Sequence, residues 1–167
     1  MEKLMMQLST LKKRNRKENC NCPFTKLKNM DTNKVITNWK KGTTEFECIN
    51  PNGVSTILGT SADGEEKIAS PKAIMLGSLA VCSGLDVIAI LKKMRVELDD
   101  FKINTKASLT DEHPRYYNEV KVEYHFFGRD LDKDKIEKSV DLSVTRYCGV
   151  MEMFRGFSKV KIEIKYN

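Results

Sequence analysis

The sequence predicts an α+β fold, with antiparallel sheets packed on a long central helix and a second helix. Three observations predict it. The patterns along the chain follow the order of three strands, a helix, two strands, a helix and a strand. The segment from Ser70 to about Met94 has the length of a central helix. Segments 101–109 and 119–127 alternate apolar and polar residues, as strands with one buried face do.

Short strands are predicted at the start of the domain. Three segments rich in β-branched and aromatic residues, separated by turn signals, are the candidates: 35–41, 43–49 and 54–60. The strongest turn signal is Asn50-Pro51-Asn52-Gly53. A polar loop, 61–66, then leads to the central helix.

The central helix has clear start and stop signals. Ser70 is expected to cap it with its side chain, and Pro71 lacks only an N–H that would be unpaired at that position. Lys92 and Lys93 favour the negative end of the helix dipole. Because the helix is apolar on nearly all sides, one small domain cannot cover it. We therefore expect a homodimer with this helix near the interface.

The remaining elements follow from alternation and helical spacing. A second helix should begin near 130–133, and a further turn of helix should hold Cys148. In the last strand, Val160, Ile162 and Ile164 are expected to face inward.

The positive charge of the chain is confined to its first 30 residues. The net charge is +6, and residues 1–30 contain eight Lys and Arg against two Glu. We divide the chain into a basic N-terminal arm at 1–30, disordered or helical, and a domain at 31–167. Since the domain is neutral, it is not expected to bind nucleic acid. With no secretion signal and no apolar run of ~18 residues, we expect a cytoplasmic protein that does not contact a membrane.

Two isolated cysteines are the main candidates for chemistry. Cys82 shares a helical face with Ser78 and Asp86, four residues before and after it. It is either an inert core thiol or part of a polar cavity, and Asp86 would raise the pKa of a nearby thiol, so activation needs a cation. Cys148 either packs a helix start or is activated by the unpaired N–H groups there.

The residue patterns typical of metal sites, nucleotide sites and cysteine–histidine catalysis are missing from the sequence. The sequence has no CxxC pair, no glycine-rich nucleotide motif and no convincing Cys–His pair. We therefore expect no metal and no cofactor.

Two segments together resemble the OsmC/Ohr superfamily, and within it the OsmC-like group related to YhfA. They are SPKAIMLGSLAVCSGLDVIAILKKM and GRDLDKDKIEKSVDLSVTRYCGVMEMF. In this group a Pro begins the central helix, a Cys follows eleven residues later, an Asp lies four past it, and an SxxxYC segment supplies a second Cys. Here these are Pro71, Cys82, Asp86 and the segment from Ser143 to Cys148.

The resemblance implies an intertwined homodimer and a thiol peroxidase. Cys82 would attack an organic hydroperoxide and become a sulfenic acid. Cys148 would condense with it to a disulfide, which an external dithiol reduces. Asp86, Ser78 and Lys72 would line the site.

The chain departs from better-known members, which have Glu where it has Lys72 and an Arg beside the thiolate. The alternative is a dimer that binds a small molecule or senses redox state without peroxidase activity.

Overall fold

The computed structural model describes residues 32–60 and 68–167. The predicted basic arm at 1–30 lies outside the described residues, so its division from the domain stays a prediction. Within the described part the elements are β1 (Ile36–Trp39), β2 (Glu45–Ile49), β3 (Ser55–Gly59), α1 (Pro71–Lys93), β4 (Asp100–Leu109), β5 (Tyr117–Phe127), α2 (Lys133–Leu142), a π-helical turn (Ser143–Tyr147), α3 (Gly149–Arg155) and β6 (Lys159–Tyr166). The predicted α+β order is confirmed.

The strands form two separate three-stranded sheets. The first has the order β1-β2-β3 and the second β4-β5-β6. All pairs are antiparallel except β5 and β6, which run parallel. The expectation of wholly antiparallel sheets is therefore wrong for β6. The helical segment 133–155 carries the chain back to the start of β5, as a parallel connection requires.

The core lies between the second sheet and the helices. The alternation in 119–127 predicted a strand with one buried face, and the apolar residues on that face of β5 are all fully buried: Val120, Val122, Tyr124 and Phe126. On the other side α1 packs against β4, α2, the π-turn and α3. This arrangement places the middle of α1 directly against the segment that contains Cys148.

The start of α1 differs in detail from the prediction. Ser70 occupies the N-cap position with an extended backbone, but its side chain makes no capping hydrogen bond. Asp132 does cap α2, because its Oδ1 accepts the N–H of Lys135 at 3.1 Å.

Helix α1 is also more continuously apolar than expected. By length and composition it would suffice to cross a membrane, because Asp86 alone interrupts the uncharged run from Ala73 to Leu91. The expectation that no apolar run is long enough was wrong. Core helices of soluble proteins have the same character, and α1 buries one side against its own fold.

Candidate functional site: two cysteines between α1 and α3

The two predicted cysteines meet where α1 passes the start of α3. Cys82 is half-buried in the middle of α1, and Cys148 is buried with 5% of its surface exposed. Both are free thiols. Cys82 lies close enough to Cys148 to raise the pKa of the Cys148 thiol.

Local hydrogen bonds fix the position of Cys148. It is the N-cap of α3, and its Sγ accepts the N–H of Met151 at 3.3 Å. Its own N–H donates to the Ser143 carbonyl at 2.9 Å, which closes the π-helical turn. π-Helical turns inside helical segments often occur at functional sites. This one turns the chain so that Cys148 faces α1.

Burial dominates the electrostatics of Cys148. The pKa of this thiol is raised from 9.0 to about 11, chiefly by desolvation, and the N–H of Met151 opposes that rise without reversing it. The charges of Cys82 and Asp86 contribute smaller parts of the same rise. Of the two roles left open for Cys148, activation by helix N–H groups does not describe this state, because the raised pKa keeps the thiol neutral at neutral pH.

Asp86 lies near Ser143 and close enough to Cys148 for its charge to raise the pKa of that thiol. Its Oδ2 is 3.5 Å from the Ser143 hydroxyl. It also lines a cavity of about 340 Å³ together with Lys93, Leu142 and Tyr147. The cavity therefore has a carboxylate, an ammonium group farther along α1 and an apolar wall between them, and neither Cys82 nor Cys148 lines it.

The hydroxyl of Ser78 and the ammonium group of Lys72 both bond to backbone carbonyls. Ser78 is exposed, and its hydroxyl donates to the Ile74 carbonyl within α1. Lys72 donates from Nζ to the Arg115 carbonyl at 2.8 Å. Lys72 and Cys82 are ten positions apart on α1, or ~15 Å along the axis, so this ammonium group does not contact the thiol in this chain.

A buried polar network behind the cysteines was not predicted. The Tyr124 hydroxyl donates to Ser83 Oγ at 2.8 Å, and the Ser143 hydroxyl donates to the Ser83 carbonyl at 2.9 Å. Burial raises the pKa of Tyr124 to about 12, so it stays a donor. Ser83 and Ser143 are both fully buried. Two features of the sequence could have indicated these serines: Ser83 is a polar residue in an apolar helix, and Ser143 is the first residue of the SxxxYC segment.

Arg155 of α3 reaches the π-helical turn. Its Nη1 donates to the Val144 carbonyl in the π-turn, and it lies 3.8 Å from Glu152. Its charge acts on the Tyr124 phenol and lowers its pKa, against the larger effect of burial. Arg146 instead lies over the ring of Tyr147.

Comparisons with known proteins show the family to which this chain is similar. The sequence profile of OsmC-like proteins matches residues 64–164. Protein YhfA of Escherichia coli K12 is 32% identical over 107 residues, which cover 59% of this chain and 80% of YhfA. A hypothetical protein from Aquifex aeolicus has a crystal structure that is 30% identical, with a TM-score of 0.72 over 83% of this chain and 98% of that one.

A more distant structure belongs to a protein that is named for its function. It is the organic hydroperoxide resistance protein OhrB of Bacillus subtilis, at 21% identity and a TM-score of 0.59, covering 81% of this chain and 98% of OhrB. At this identity the likeness shows the fold alone.

Proposed function

Since the chain belongs to the OsmC-like family, we propose that it is a thiol-dependent peroxidase that reduces organic hydroperoxides. The observation that carries the proposal is the proximity of Cys82 and Cys148, which lie 66 positions apart in sequence and come together where α1 packs against the π-helical turn and α3. Members of this family include proteins named for organic hydroperoxide resistance. We further propose an antioxidant role in the cytoplasm.

The first step takes place at Cys82. Its thiolate attacks the terminal oxygen of the hydroperoxide, and the O–O bond breaks. Cys82 becomes a sulfenic acid, and the alcohol leaves after taking up a proton. The half-buried position of Cys82 gives a small oxidant access, whereas buried Cys148 is shielded.

The second step forms the disulfide. The Cys148 sulfur attacks the Cys82 sulfenic sulfur, the S–O bond breaks, and water leaves. Because the pKa of Cys148 is about 11, we assign it the resolving step. An external dithiol then returns both thiols, and neither step uses a metal or organic cofactor.

A homodimer completes the proposal. Several large apolar residues on one side of α1 are exposed in the single chain: Ile74, Met75, Val81, Leu85 and Ile88. Trp39 and Phe46 of the first sheet are also exposed. A second copy that covers both surfaces would account for them.

A non-peroxidatic dimer that binds a small molecule or senses redox state is the second candidate. It is favoured by the placement of Lys72, which is held at the Arg115 carbonyl, and by the raised pKa of Cys148. In that case the cysteines line a ligand cavity. A Cys82 pKa above ~9 would favour this candidate, whereas one below ~7 would favour the peroxidase.

The test adds one equivalent of an organic hydroperoxide to the fully reduced chain, followed by peptide mapping and turnover assays. We expect rapid loss of two hydrogens as a Cys82–Cys148 disulfide. Cys82→Ser should reduce turnover to the uncatalysed rate, and Cys148→Ser should leave a sulfenic acid that a dimedone probe captures. Cys48→Ser, a half-buried free thiol on β2, is the matched control. Full turnover by Cys82→Ser would refute the proposal.

A further inference from the structure

We infer that Ser143 is a positioning residue that holds Cys148 in bonding register with Cys82, through a hydroxyl bond to the α1 backbone. The inference deepens the proposed function and rests on it for the use made of the disulfide. The positioning itself is a property of the fold and can be measured without a peroxide.

The connection between the two cysteines through Ser143 is very short. Cys82 is bonded in sequence to Ser83, whose carbonyl accepts the Ser143 hydroxyl at 2.9 Å. The Ser143 carbonyl in turn accepts the N–H of Cys148 at 2.9 Å. One residue therefore uses its side chain to bind the segment of Cys82 and its backbone to bind Cys148.

The hydrogen bond from the Ser143 hydroxyl to the Ser83 carbonyl is costly to lose because it is buried. Ser143 is fully buried, so water cannot replace a lost partner. Its hydroxyl has one proton, and the Ser83 carbonyl is the nearer acceptor, since Asp86 Oδ2 lies at 3.5 Å. Asp86 is thus the weaker alternative acceptor on the same helix.

The accepting end of the bond is itself anchored. The Ser83 hydroxyl donates to the Ala80 carbonyl at 3.1 Å and accepts the Tyr124 hydroxyl at 2.8 Å. Tyr124 is on β5 in the middle of the second sheet. The sheet, α1 and the π-turn are therefore joined behind the thiols, and the Ser143 bond is the link on which Cys148 depends.

Positioning matters because disulfide formation is an intramolecular reaction. The advantage of a held thiol over a free one is its effective concentration at the partner sulfur. Losing the Ser143 hydroxyl would let the π-turn move relative to α1 and lower that concentration. The loss of one buried hydrogen bond corresponds to a fall on the order of tenfold.

The experiment equilibrates the full chain in buffers of reduced and oxidised glutathione. In the exchange, the two thiols give two electrons and two protons to one oxidised glutathione, yielding one protein disulfide and two reduced glutathiones. Peptide mapping quantifies the Cys82–Cys148 disulfide specifically, and the equilibrium constant gives the effective concentration of the pair.

Ser143→Ala is the test variant and Ser139→Ala is the matched control. Ser139 is also fully buried, but its hydroxyl donates to the Ile136 carbonyl of its own helix and does not reach α1. We expect the effective concentration to fall about tenfold in Ser143→Ala and to stay at the wild-type value in Ser139→Ala. Equal values in the two variants would overturn the inference.

A second variant covers the case in which Ser143→Ala does not fold. Tyr124→Phe removes the anchor of Ser83 with little change of shape, and we expect a smaller fall in the same direction. An unchanged constant in Tyr124→Phe would then overturn the inference.

The wild-type chain separates this inference from the proposed function. If it forms the Cys82–Cys148 disulfide with glutathione but not with hydroperoxide, the peroxidase proposal fails and the positioning stands. If it forms that disulfide in neither, the thiols are not in bonding register and the positioning fails.

Discussion

At the residue scale, Glu123 shows how a buried charge is balanced in the second sheet. Its side chain on the central strand is 5% exposed, and it pairs with Lys121 at 2.9 Å and Lys165 at 3.2 Å. Hydrogen bonds from Lys121 and then Lys165 lower its pKa from 4.5 to about 2, against the effect of burial. The carboxylate therefore stays charged in the folded chain at pH values where an unfolded glutamate is already protonated.

The lowered pKa of Glu123 predicts that the free energy of unfolding depends on pH in the acidic range. A lowered folded-state pKa contributes stability above pH 4.5, and that stability is lost as the pH falls from 4.5 towards 2. We expect the free energy of unfolding of Glu123→Gln to fall less steeply than that of the wild type across this range. Urea denaturation at several pH values measures it.

Glu163→Gln is the control for this prediction. Glu163 pairs with the same Lys121 at 2.8 Å, but its side chain is 44% exposed. Exposed ion pairs contribute little, so Glu163→Gln should follow the wild-type pH profile more closely than Glu123→Gln does. The same slope in the Glu123→Gln variant and the wild type would contradict the assignment.

At the scale of the element, the N-termini of α1 and α2 are capped differently. Asp132 caps α2 with a side-chain hydrogen bond and also pairs with Lys135 at 2.8 Å. Ser70, at the equivalent position of α1, makes no side-chain cap. The predicted side-chain cap of Ser70 is therefore wrong, whereas Pro71 starts the helix as predicted.

This difference predicts unequal costs for two similar substitutions. Asp132→Ala should lower the free energy of unfolding by about 1 kcal/mol, the usual cost of losing an N-cap. Ser70→Ala should change it by less than about 0.5 kcal/mol. Equilibrium urea denaturation of both variants measures these values, and a Ser70→Ala loss as large as that of Asp132→Ala would contradict the capping described here.

At the scale of the whole molecule, the residues that the structure describes leave one side of α1 uncovered. Val81 and Leu85 are 61% and 64% exposed near the middle of the helix. Burying a leucine side chain stabilises by about 2 kcal/mol, so covering this face would favour association strongly. The uncovered side belongs to the same helix that carries Cys82.

We therefore predict that Leu85→Glu produces a monomer where the wild type is a dimer. A buried unpaired carboxylate in an apolar interface is costly, and the charged variant should dissociate. Sedimentation equilibrium at micromolar concentration measures the assembly. Lys138→Glu, on the exposed side of α2, should remain dimeric, and a wild-type monomer would refute the dimer.

The sequence predicted the helices and strands better than it predicted the contacts between them. Alternation identified the buried face of β5, because apolar periodicity reports directly on burial. Alternation is the same for either strand direction, so it could not show that β6 runs parallel. The π-turn and the Ser83–Ser143 bond are long-range features with no local signal beyond two serines in apolar surroundings. The pairing of Cys82 with Cys148 came from the family resemblance.

The parallel pairing of β5 with β6 has a consequence for the order in which the chain folds. Every residue pair in that ladder joins positions 40 apart in sequence. The β4–β5 hairpin joins positions 8 to 27 apart. Closing the longer loop costs more chain entropy and must await the helices that span it. We expect the amides of β6 to gain protection from hydrogen exchange last during refolding. The edge strand β6 would then pair with β5 only after the two segments that contain Cys82 and Cys148 have packed together.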